Sequence, residues 1–257
     1  MWLAFAAVGL ALGLGGCATP GPAHLYVAPA QRPAVIVDVA LEGGGVGAGV
    51  RVDVPSYVRP GERLVGLAYD PFTDHLFLRL APGNRIRVVD RPARRIKRQF
   101  AAEGVSAAGD GDLAIRSRDR HLFLGHPTDA AVIETTLSGK FVRTIALEAG
   151  GPPPAGVAYD QARDELLVLG GGDLAHVRRF DLEGRRLGGV ALDRDVELTA
   201  LAFDSAAREF YAPLRGGRAI GVFSETGQLQ REVPLAEIAP AGVRGLDVGQ
   251  RSALRLF

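Results

Sequence analysis

Short apolar runs separated by turn-forming residues recur along most of the chain. In the clearest copy, one run ends at Asp70-Pro71, which begins a turn, and a second run extends from His75 to Leu80. Pro82-Gly83-Asn84 begins another turn before a third run, and a fourth run surrounds Ile96. Runs of this length bounded by Asp, Pro, Gly and Asn are typical of strands joined by tight turns. The pattern therefore predicts a unit of four short antiparallel β-strands.

This unit is repeated at a nearly constant spacing. The first strand of each copy ends at a position that we call the marker, and the markers are Asp70, Arg116, Asp160, Asp204 and Asp247. The steps between them are 46, 44, 44 and 43 residues. A period of about 40–50 residues built from short strands is the signature of propeller blades. The sequence therefore predicts an all-β fold, a β-propeller of four-stranded antiparallel blades.

The number of blades follows from how the copies begin and end. Residues 24–54 have the pattern of a second, third and fourth strand without a first, whereas a first strand surrounds Leu246 and part of a second follows from Ala253 to Phe257. Pairing the first strand near Leu246 with residues 24–54 would complete one composite blade and remove exposed sheet edges. Five blades closed in this way is the favoured prediction, and six blades with two thin terminal ones is the alternative.

Composition changes this picture only slightly. Hydrophobic residues make up 47% of the chain, and the formal net charge of +1 gives no global indication of a nucleic-acid partner. There is one cysteine, Cys17, so packing rather than disulfide bonds is expected to hold the fold.

The beginning of the chain predicts an exported and anchored protein. Residues from Trp2 to Gly16 are all apolar or glycine, which is too short for a bilayer span but matches the h-region of a secretory signal. The run ends in Leu14-Gly15-Gly16-Cys17, which resembles the lipobox of bacterial lipoproteins. That resemblance implies cleavage before Cys17 and acylation of this residue, which would anchor the protein in a membrane. The alternative is an ordinary signal peptide, or an apolar buried strand, in which Cys17 has no special role.

The resemblance to lipoproteins also implies an address. Ala18 follows the cysteine, where Asp resembles an inner-membrane retention signal, so the outer membrane facing the periplasm is the expected location. The n-region, Met1-Trp2-Leu3, departs from the usual signal because it has no Lys or Arg. The predicted organisation is a lipoprotein signal peptide at 1–16, an acylated cysteine and tether at 17–23, and a propeller domain at 24–257.

The hairpins of each copy resemble the NHL and YVTN-type propeller repeats of bacterial exported proteins. The residues that carry the resemblance are Ala68-Tyr69-Asp70 followed by Leu76-Phe77-Leu78, and Phe180-Asp181-Leu182-Glu183-Gly184 in the second hairpin of a later copy. The resemblance implies a non-catalytic binding or scaffold protein with a protein partner in the cell envelope. A few relatives are lyases or lactonases, so the alternative is a cation-dependent propeller hydrolase or lyase.

Four marker residues are candidates for a metal site, namely Asp70, Asp160, Asp204 and Asp247. Carboxylates that converge in a propeller channel would hold calcium, which would support the enzyme alternative. Their position directly before a turn favours a different interpretation, in which each carboxylate caps the backbone of its own turn. No cofactor is therefore predicted, and calcium is the weaker alternative.

The only dense charge run contains Arg91, Arg94, Arg95, Lys97 and Arg98. Such a run would bind an anionic polymer, a lipid headgroup or a protein partner. It also lies on or beside the predicted outermost strand, where charges discourage pairing between sheet edges, and this interpretation is favoured. The run lacks interleaved aromatic residues, which argues against single-stranded nucleic acid.

Overall fold

The computed structural model describes residues 22–41, 51–105, 110–170, 176–235, 239 and 242–251. Within these ranges the chain forms twenty β-strands arranged in five four-stranded antiparallel sheets. None of the described residues lies in a helix that is long and apolar enough to cross a membrane. The favoured prediction of an all-β propeller with five blades is confirmed.

The strands follow the repeat. The chain begins with β1 (Ala23–Pro29), β2 (Val35–Leu41) and β3 (Arg51–Pro55). Blade 1 contains β4 (Arg63–Asp70), β5 (His75–Ala81), β6 (Arg85–Asp90) and β7 (Arg95–Ala101). Blade 2 contains β8 (Leu113–Arg116), β9 (His121–Gly125), β10 (Ala131–Thr136) and β11 (Phe141–Ala146). Blade 3 contains β12 (Gly156–Asp160), β13 (Glu165–Gly170), β14 (His176–Phe180) and β15 (Arg186–Ala191). Blade 4 contains β16 (Ala202–Asp204), β17 (Glu209–Pro213), β18 (Ala219–Ser224) and β19 (Leu229–Pro234), and the last strand is β20 (Val243–Gln250).

The composite blade has the predicted composition. Its strand order is β20-β1-β2-β3, so that a strand from the end of the described chain becomes the innermost strand of the sheet that the first residues build. Strand β20 pairs antiparallel with β1 over seven residue pairs, from Ala23 opposite Gln250 to Pro29 opposite Val243. We call this sheet blade 5. The further strand predicted from Ala253 to Phe257 lies outside the described residues.

Burial changes across each blade in the way that the apolar pattern requires. Every residue of the second strand β5 is buried, because both faces of this strand lie between neighbouring sheets. The outermost strand β7 has the charged sequence RIKRQFA and is exposed at nearly every position. The apolar second strand and the charged fourth strand of one blade therefore reflect their distance from the ring axis.

Among the described residues, the buried hydrophobic side chains form five clusters, one at each junction between neighbouring blades. At the junction of blades 5 and 1, for example, the rings of Tyr26 and Tyr69 lie 4.4 Å apart between centroids. At the junction of blades 2 and 3, the rings of Phe123 and Tyr159 are 5.2 Å apart. Because no sheet can bury both faces alone, burial of apolar area at these five junctions holds the ring closed.

The outer hairpins turn at residues with positive φ. Gly139, Gly184 and Gly227 have φ of 88°, 82° and 85°, as their common register predicts. In blade 1 the outer hairpin uses Arg94, at φ 51°, instead of glycine. In each of these four blades the pairing of the third strand with the fourth shifts next to the turn, where the fourth strand has one extra residue, which is the geometry of a hairpin with a bulge.

Candidate functional site

Three marker aspartates cap the turns that follow them. The Oδ1 of Asp160 accepts hydrogen bonds from the backbone N–H groups two and three residues later, at 3.0 and 3.3 Å. Asp204 makes the same contacts at 2.8 and 3.0 Å. Asp70 accepts hydrogen bonds from the Phe72 backbone N–H at 3.2 Å and from the Thr73 hydroxyl at 2.5 Å. These contacts are the capping arrangement that the sequence favours.

The marker aspartates are not brought together into one site. Asp70, Asp160 and Asp204 end the first strands of three different blades. Among the residues that the structure describes, no group of three or more His, Cys, Asp or Glu side chains is placed so as to hold a metal ion.

The marker positions have a second role, because they form ion pairs between consecutive blades. Each pair joins a marker side chain to the residue four positions after the marker of the next blade. The pairs are Asp70 with Arg120 at 2.6 Å, Arg116 with Asp164 at 3.0 Å, and Asp160 with Arg208 at 2.5 Å. The charges are exchanged at the middle junction, where the marker is an arginine and its partner in the next blade is an aspartate.

The residue directly before the marker matches the charge at two of these junctions. Tyr159 donates its hydroxyl to Asp164, whereas the ring of Phe203 packs 4.8 Å from the guanidinium carbon of Arg208. A tyrosine therefore accompanies the aspartate, and an apolar ring accompanies the arginine. At these two junctions three residues rather than two therefore match one another, whereas the residue before the marker at the Arg120 junction is Ile115.

The dense basic run is divided among several contacts. Three of its members reach a neighbouring blade: Arg91 Nη1 lies 3.5 Å from Asp38 Oδ2, Arg94 Nη2 donates to the Asp53 carbonyl at 2.9 Å, and Arg98 Nη2 donates to the Leu137 carbonyl at 2.9 Å. Arg95 and Lys97 are exposed on the outermost strand β7. Three of the five side chains are thus engaged in contacts with neighbouring blades, and binding of a partner or an anion by this run stays a prediction.

Asp247 does not occupy the marker position that the sequence spacing assigns to it. Gly249 pairs with His24 in blade 5, in the same way that Asp70 pairs with His75 in blade 1. The fifth marker is thus Gly249, two residues later than predicted. The physical reason is that β20 is not followed by a turn into its own second strand, so the turn that fixes the register in other blades has no counterpart here.

Asp247 instead reaches the central channel. The residues at the same level in the other four blades are all alanines, namely Ala68, Ala114, Ala158 and Ala202. The Oδ2 of Asp247 accepts a hydrogen bond from the Tyr69 N–H at 2.5 Å, and its Oδ1 accepts one from the Val248 N–H at 2.8 Å. This carboxylate therefore joins the inner strand of blade 5 to that of blade 1.

A second channel carboxylate, Asp112, lies two residues before the alanine of blade 2. It is only 1% exposed, and its Oδ2 accepts hydrogen bonds from the Val157 and Leu201 N–H groups, both at 3.1 Å. Asp112 therefore connects blade 2 to blades 3 and 4. The residues at this level in the other blades are Gly66, Gly156, Ala200 and Gly245. A Cβ on Gly156 would lie 2.8 Å from the Leu201 nitrogen, so the small residues let the strands approach each other around the carboxylate.

Burial changes the acidity of both channel carboxylates. It raises the pKa of Asp112 to about 8 and that of Asp247 to about 7, although the backbone N–H groups that donate to them favour the charged form. The charge of Asp247 further raises the pKa of Asp112. Both groups hold a proton more tightly in the folded protein than in the unfolded chain.

The channel opens into a cavity at each end. The ends of the first strands surround a wide mouth of about 450 Å³, and their beginnings surround a narrower opening of about 280 Å³. The wide mouth has a mostly apolar wall that includes Phe72, Tyr159, Phe203 and Val248, with Asp247 at its base. Phe72 is 43% exposed and lies at the rim.

Polar side chains form much of the rim of the wide mouth, at the position that follows the marker in every blade except blade 1, where this residue is Pro71. They are Ser117, Gln161, Ser205 and Gln250. The Ser117 N–H donates to Gln161 Oε1 at 3.2 Å, and the Gln161 N–H donates to Ser205 Oγ at 3.0 Å, so the rim is linked across blades 2, 3 and 4. The Oγ of Ser117 is buried and has no hydrogen-bond partner among the described residues. It therefore retains unused hydrogen-bonding capacity in a residue that lines the mouth.

A cationic groove of about 540 Å³ adjoins the wide mouth, and both cavities are lined by Phe72, Ser117 and Arg118. Its charged lining consists of Lys97, Arg118 and Arg120 with the single carboxylate of Asp90, and His75 also lines it. The side chain of Arg118 is 73% exposed and lies 3.4 Å from Asp164. The wide mouth and the cationic groove together form the candidate site.

Sequence reasoning found only Lys97 of the groove cations and missed Asp112 and the rim. A signal for Asp112 was present, because it is the one carboxylate at a position where the other copies have Gly or Ala. The rim residues share a register but differ in type, so no single motif identifies them. Cys17 lies outside the described residues, and its acylation stays a prediction.

Comparisons with known proteins support the fold alone. No family model matches the chain, and no curated protein is similar to it in sequence. Among solved structures, a chain of a nidogen–laminin complex has a TM-score of 0.65 and 12% identity, covering 88% of this chain and 98% of that chain. A protein of unknown function from Bacteroides caccae has a TM-score of 0.50 and 15% identity, with 85% of this chain and 75% of that chain covered. The glutaminyl cyclase of Myxococcus xanthus also has a TM-score of 0.50 and 15% identity, with coverages of 72% and 69%.

Proposed function

We propose that this protein is a lipid-anchored, non-catalytic binding propeller of the bacterial cell envelope, facing the periplasm from the outer membrane. Its partner, a protein of the envelope, binds at the wide mouth and the cationic groove. The observation that carries this proposal is that the two cavities open side by side and share Phe72, Ser117 and Arg118. Concave sites with an apolar wall and a few polar groups are where proteins usually bind their ligands.

The hydrogen bonds of the acidic side chains support binding rather than catalysis. Asp70, Asp160 and Asp204 cap turns, and Asp112 and Asp247 accept hydrogen bonds from strand N–H groups in the channel. Because each of these carboxylates already accepts hydrogen bonds that hold the scaffold together, a structural role accounts for them without catalysis.

A hydrolase or lyase is the second candidate, and one observation favours it. Asp247 lies at the base of the wide mouth, and a pKa raised to about 7 suits a carboxyl group to general acid–base catalysis near neutral pH. Turnover of a lactone or ester with added calcium by the native protein, abolished in Asp247→Asn, would favour this candidate over a binding function.

The anchor is tested at Cys17. Because acylation requires the thiol, a fatty-acid probe supplied to growing cells is expected to label the native protein and to leave a Cys17→Ala variant unlabelled. Gel fluorescence of the purified proteins provides the measurement. Label retained in the variant, or missing from the native protein, would show that this residue is not acylated.

The binding face is tested by placing a photo-crosslinking residue at position 72 or at position 198. Phe72 and Leu198 are similarly exposed, at 43% and 40%, but they line opposite ends of the channel. We expect ultraviolet light to yield a discrete crosslinked band from position 72 and none from position 198. Equal yields from the two positions, or a band from position 198 alone, would contradict the proposed face.

A further inference from the structure

The wide mouth and the cationic groove differ in the chemistry that they offer. The mouth is mostly apolar, with the rings of Phe72 and Phe203 in its wall and the carboxyl group of Asp247 at its base. An acidic group entering the mouth would meet that carboxyl group, whereas an apolar side chain would bury surface against the rings. The mouth therefore suits an uncharged, apolar group.

The groove has the opposite preference. Arg120 is held by Asp70 at 2.6 Å, whereas Arg118 has a longer contact of 3.4 Å to Asp164 and is 73% exposed. Arg118 and the exposed Lys97 are therefore the cations most available to a ligand. His75 adds no charge near neutral pH, because burial and the nearby Lys97 lower its pKa. Exposed cations on one wall of a groove attract carboxylates and repel basic groups. The groove therefore suits an acidic segment.

The rim supplies hydrogen-bonding groups for a main chain between these two regions. The Oγ of Ser117 has no partner among the described residues, and Ser117 lines both cavities. A peptide in an extended conformation carries N–H and C=O groups that need partners when they lose water. Ser117 lies where such a peptide would cross from the mouth to the groove.

From these observations we propose that the partner is recognised through a linear segment in which one apolar residue is followed or preceded by acidic residues. The apolar side chain enters the wide mouth, and the carboxylates lie along the groove next to Lys97 and Arg118. This inference rests on the proposed function, since it specifies the chemistry of the protein partner at the same face.

The probe is a peptide with one leucine between two acidic arms, Asp-Asp-Gly-Leu-Gly-Asp-Asp, which carries fluorescein on its amino terminus and an amide at its carboxyl terminus. We expect fluorescence polarisation to show saturable binding to the full chain, weakening about tenfold between about 50 and about 500 mM salt because the ion pairs are exposed. A peptide with Lys at the Asp positions is expected not to bind, and one with Gly for Leu is expected to bind about tenfold more weakly.

The variants separate the two parts of the site. Lys97→Gln with Arg118→Gln is expected to weaken binding of the acidic peptide about tenfold and to remove most of its salt dependence. Phe72→Ala is expected to weaken it by a similar factor, about tenfold, without changing the salt dependence. Leu198→Ala with Arg244→Gln is the matched control, because these two exposed residues line the opposite opening and their loss should leave binding unchanged.

Two results would overturn the inference. One is the absence of saturable binding up to about 1 mM peptide, and the other is binding that the Lys97 and Arg118 substitutions leave unaffected. The crosslinking experiment keeps the proposed function separate. If a partner is captured at position 72 but the protein does not bind the acidic peptide, the proposed binding face is retained. Only the acidic recognition element is then ruled out.

Discussion

Replacing Asp112 with alanine is expected to lower the free energy of unfolding by about 3–5 kcal/mol, because the buried N–H groups of Val157 and Leu201 then lose their shared acceptor. Each buried donor without a partner costs about 1–3 kcal/mol, and the vacated channel adds the cost of a cavity. Urea unfolding followed by circular dichroism measures the change.

The pH dependence separates the hydrogen bonds of Asp112 from its charge. Its folded-state pKa is raised to about 8 from an ordinary value of 3.8, so between these values the folded protein binds a proton that the unfolded chain releases. The contribution of this group is therefore most favourable at low pH, and it is lost as the pH rises towards about 8. Asp112→Asn keeps an acceptor oxygen and cannot ionise. We expect this variant to lose less stability between about pH 5.5 and about pH 8.5 than the native protein.

Asp195→Asn is the control for both Asp112 variants, because Asp195 is an exposed carboxylate with a 3.8 Å contact to Arg215. It should change the free energy of unfolding by less than about 0.5 kcal/mol and leave the pH profile as it is. An Asp112→Ala variant as stable as this control would show that the channel carboxylate is dispensable. An unchanged pH slope in Asp112→Asn would show that Asp112 is already ionised in the folded state.

Reversing one charge between blades 2 and 3 is the second large effect that we expect. In the native protein the nearly buried Arg116 lies 3.0 Å from Asp164 and 2.8 Å from Asp119. The Arg116→Asp variant replaces this cation with a carboxylate beside Asp164. The loss of an ion pair and the new repulsion are expected to cost about 2–3 kcal/mol, since Asp164 remains partly exposed.

Adding Asp164→Arg to this variant is expected to recover more than half of the loss. The double variant reproduces the pair of Asp70 with Arg120, in which an aspartate marker meets an arginine of the next blade. Tyr159→Phe should then recover more, because an apolar ring accompanies the arginine at the Arg208 junction. Urea midpoints of the single, double and triple variants form the test. If each added substitution lowers the stability further by its own separate amount, the exchanged charges do not specify the junction.

The blades were predictable because each one is made of local hairpins. The turn at Asp70-Pro71 and the glycines of the outer hairpins are close in sequence to the strands that they join, so their pattern repeats with the period of the blade. The composite blade was predictable from the repeat pattern, because residues 24–54 lack a first strand and the sequence near Leu246 has the pattern of one.

The centre of the ring was not predictable in the same way. Asp112 and Asp247 each stand alone at their level of the channel, among small residues from the other blades. A search for repetition discards such residues, because the channel has room for one carboxylate and not for five. The marker of blade 5 was also predicted two residues too early, at Asp247. The spacing of Asp247 resembles that of a marker, but its strand is not followed by the turn that comes after the markers of the other blades.

The charged residues were hardest to interpret because their partners come from other blades. The run from Arg91 to Arg98 is continuous in sequence, but its side chains reach Asp38, Asp53 and Leu137 in two neighbouring sheets. The cationic groove instead combines Lys97 of one blade with Arg118 and Arg120 of the next. Charge density along the chain therefore gave little information about charge density on the surface.

The pairing of β1 with β20 has a consequence for how the molecule is made. Blades 1 to 4 require only contacts between residues that are near each other in the chain, so they have low contact order and are able to form as the polypeptide is synthesised. The sheet that contains Ala23 has to wait for Gln250, and until then the apolar side chains of β1 have no inner neighbour. We therefore expect closure of this sheet to come late in folding and to be the stage at which an unpaired strand is most exposed to aggregation.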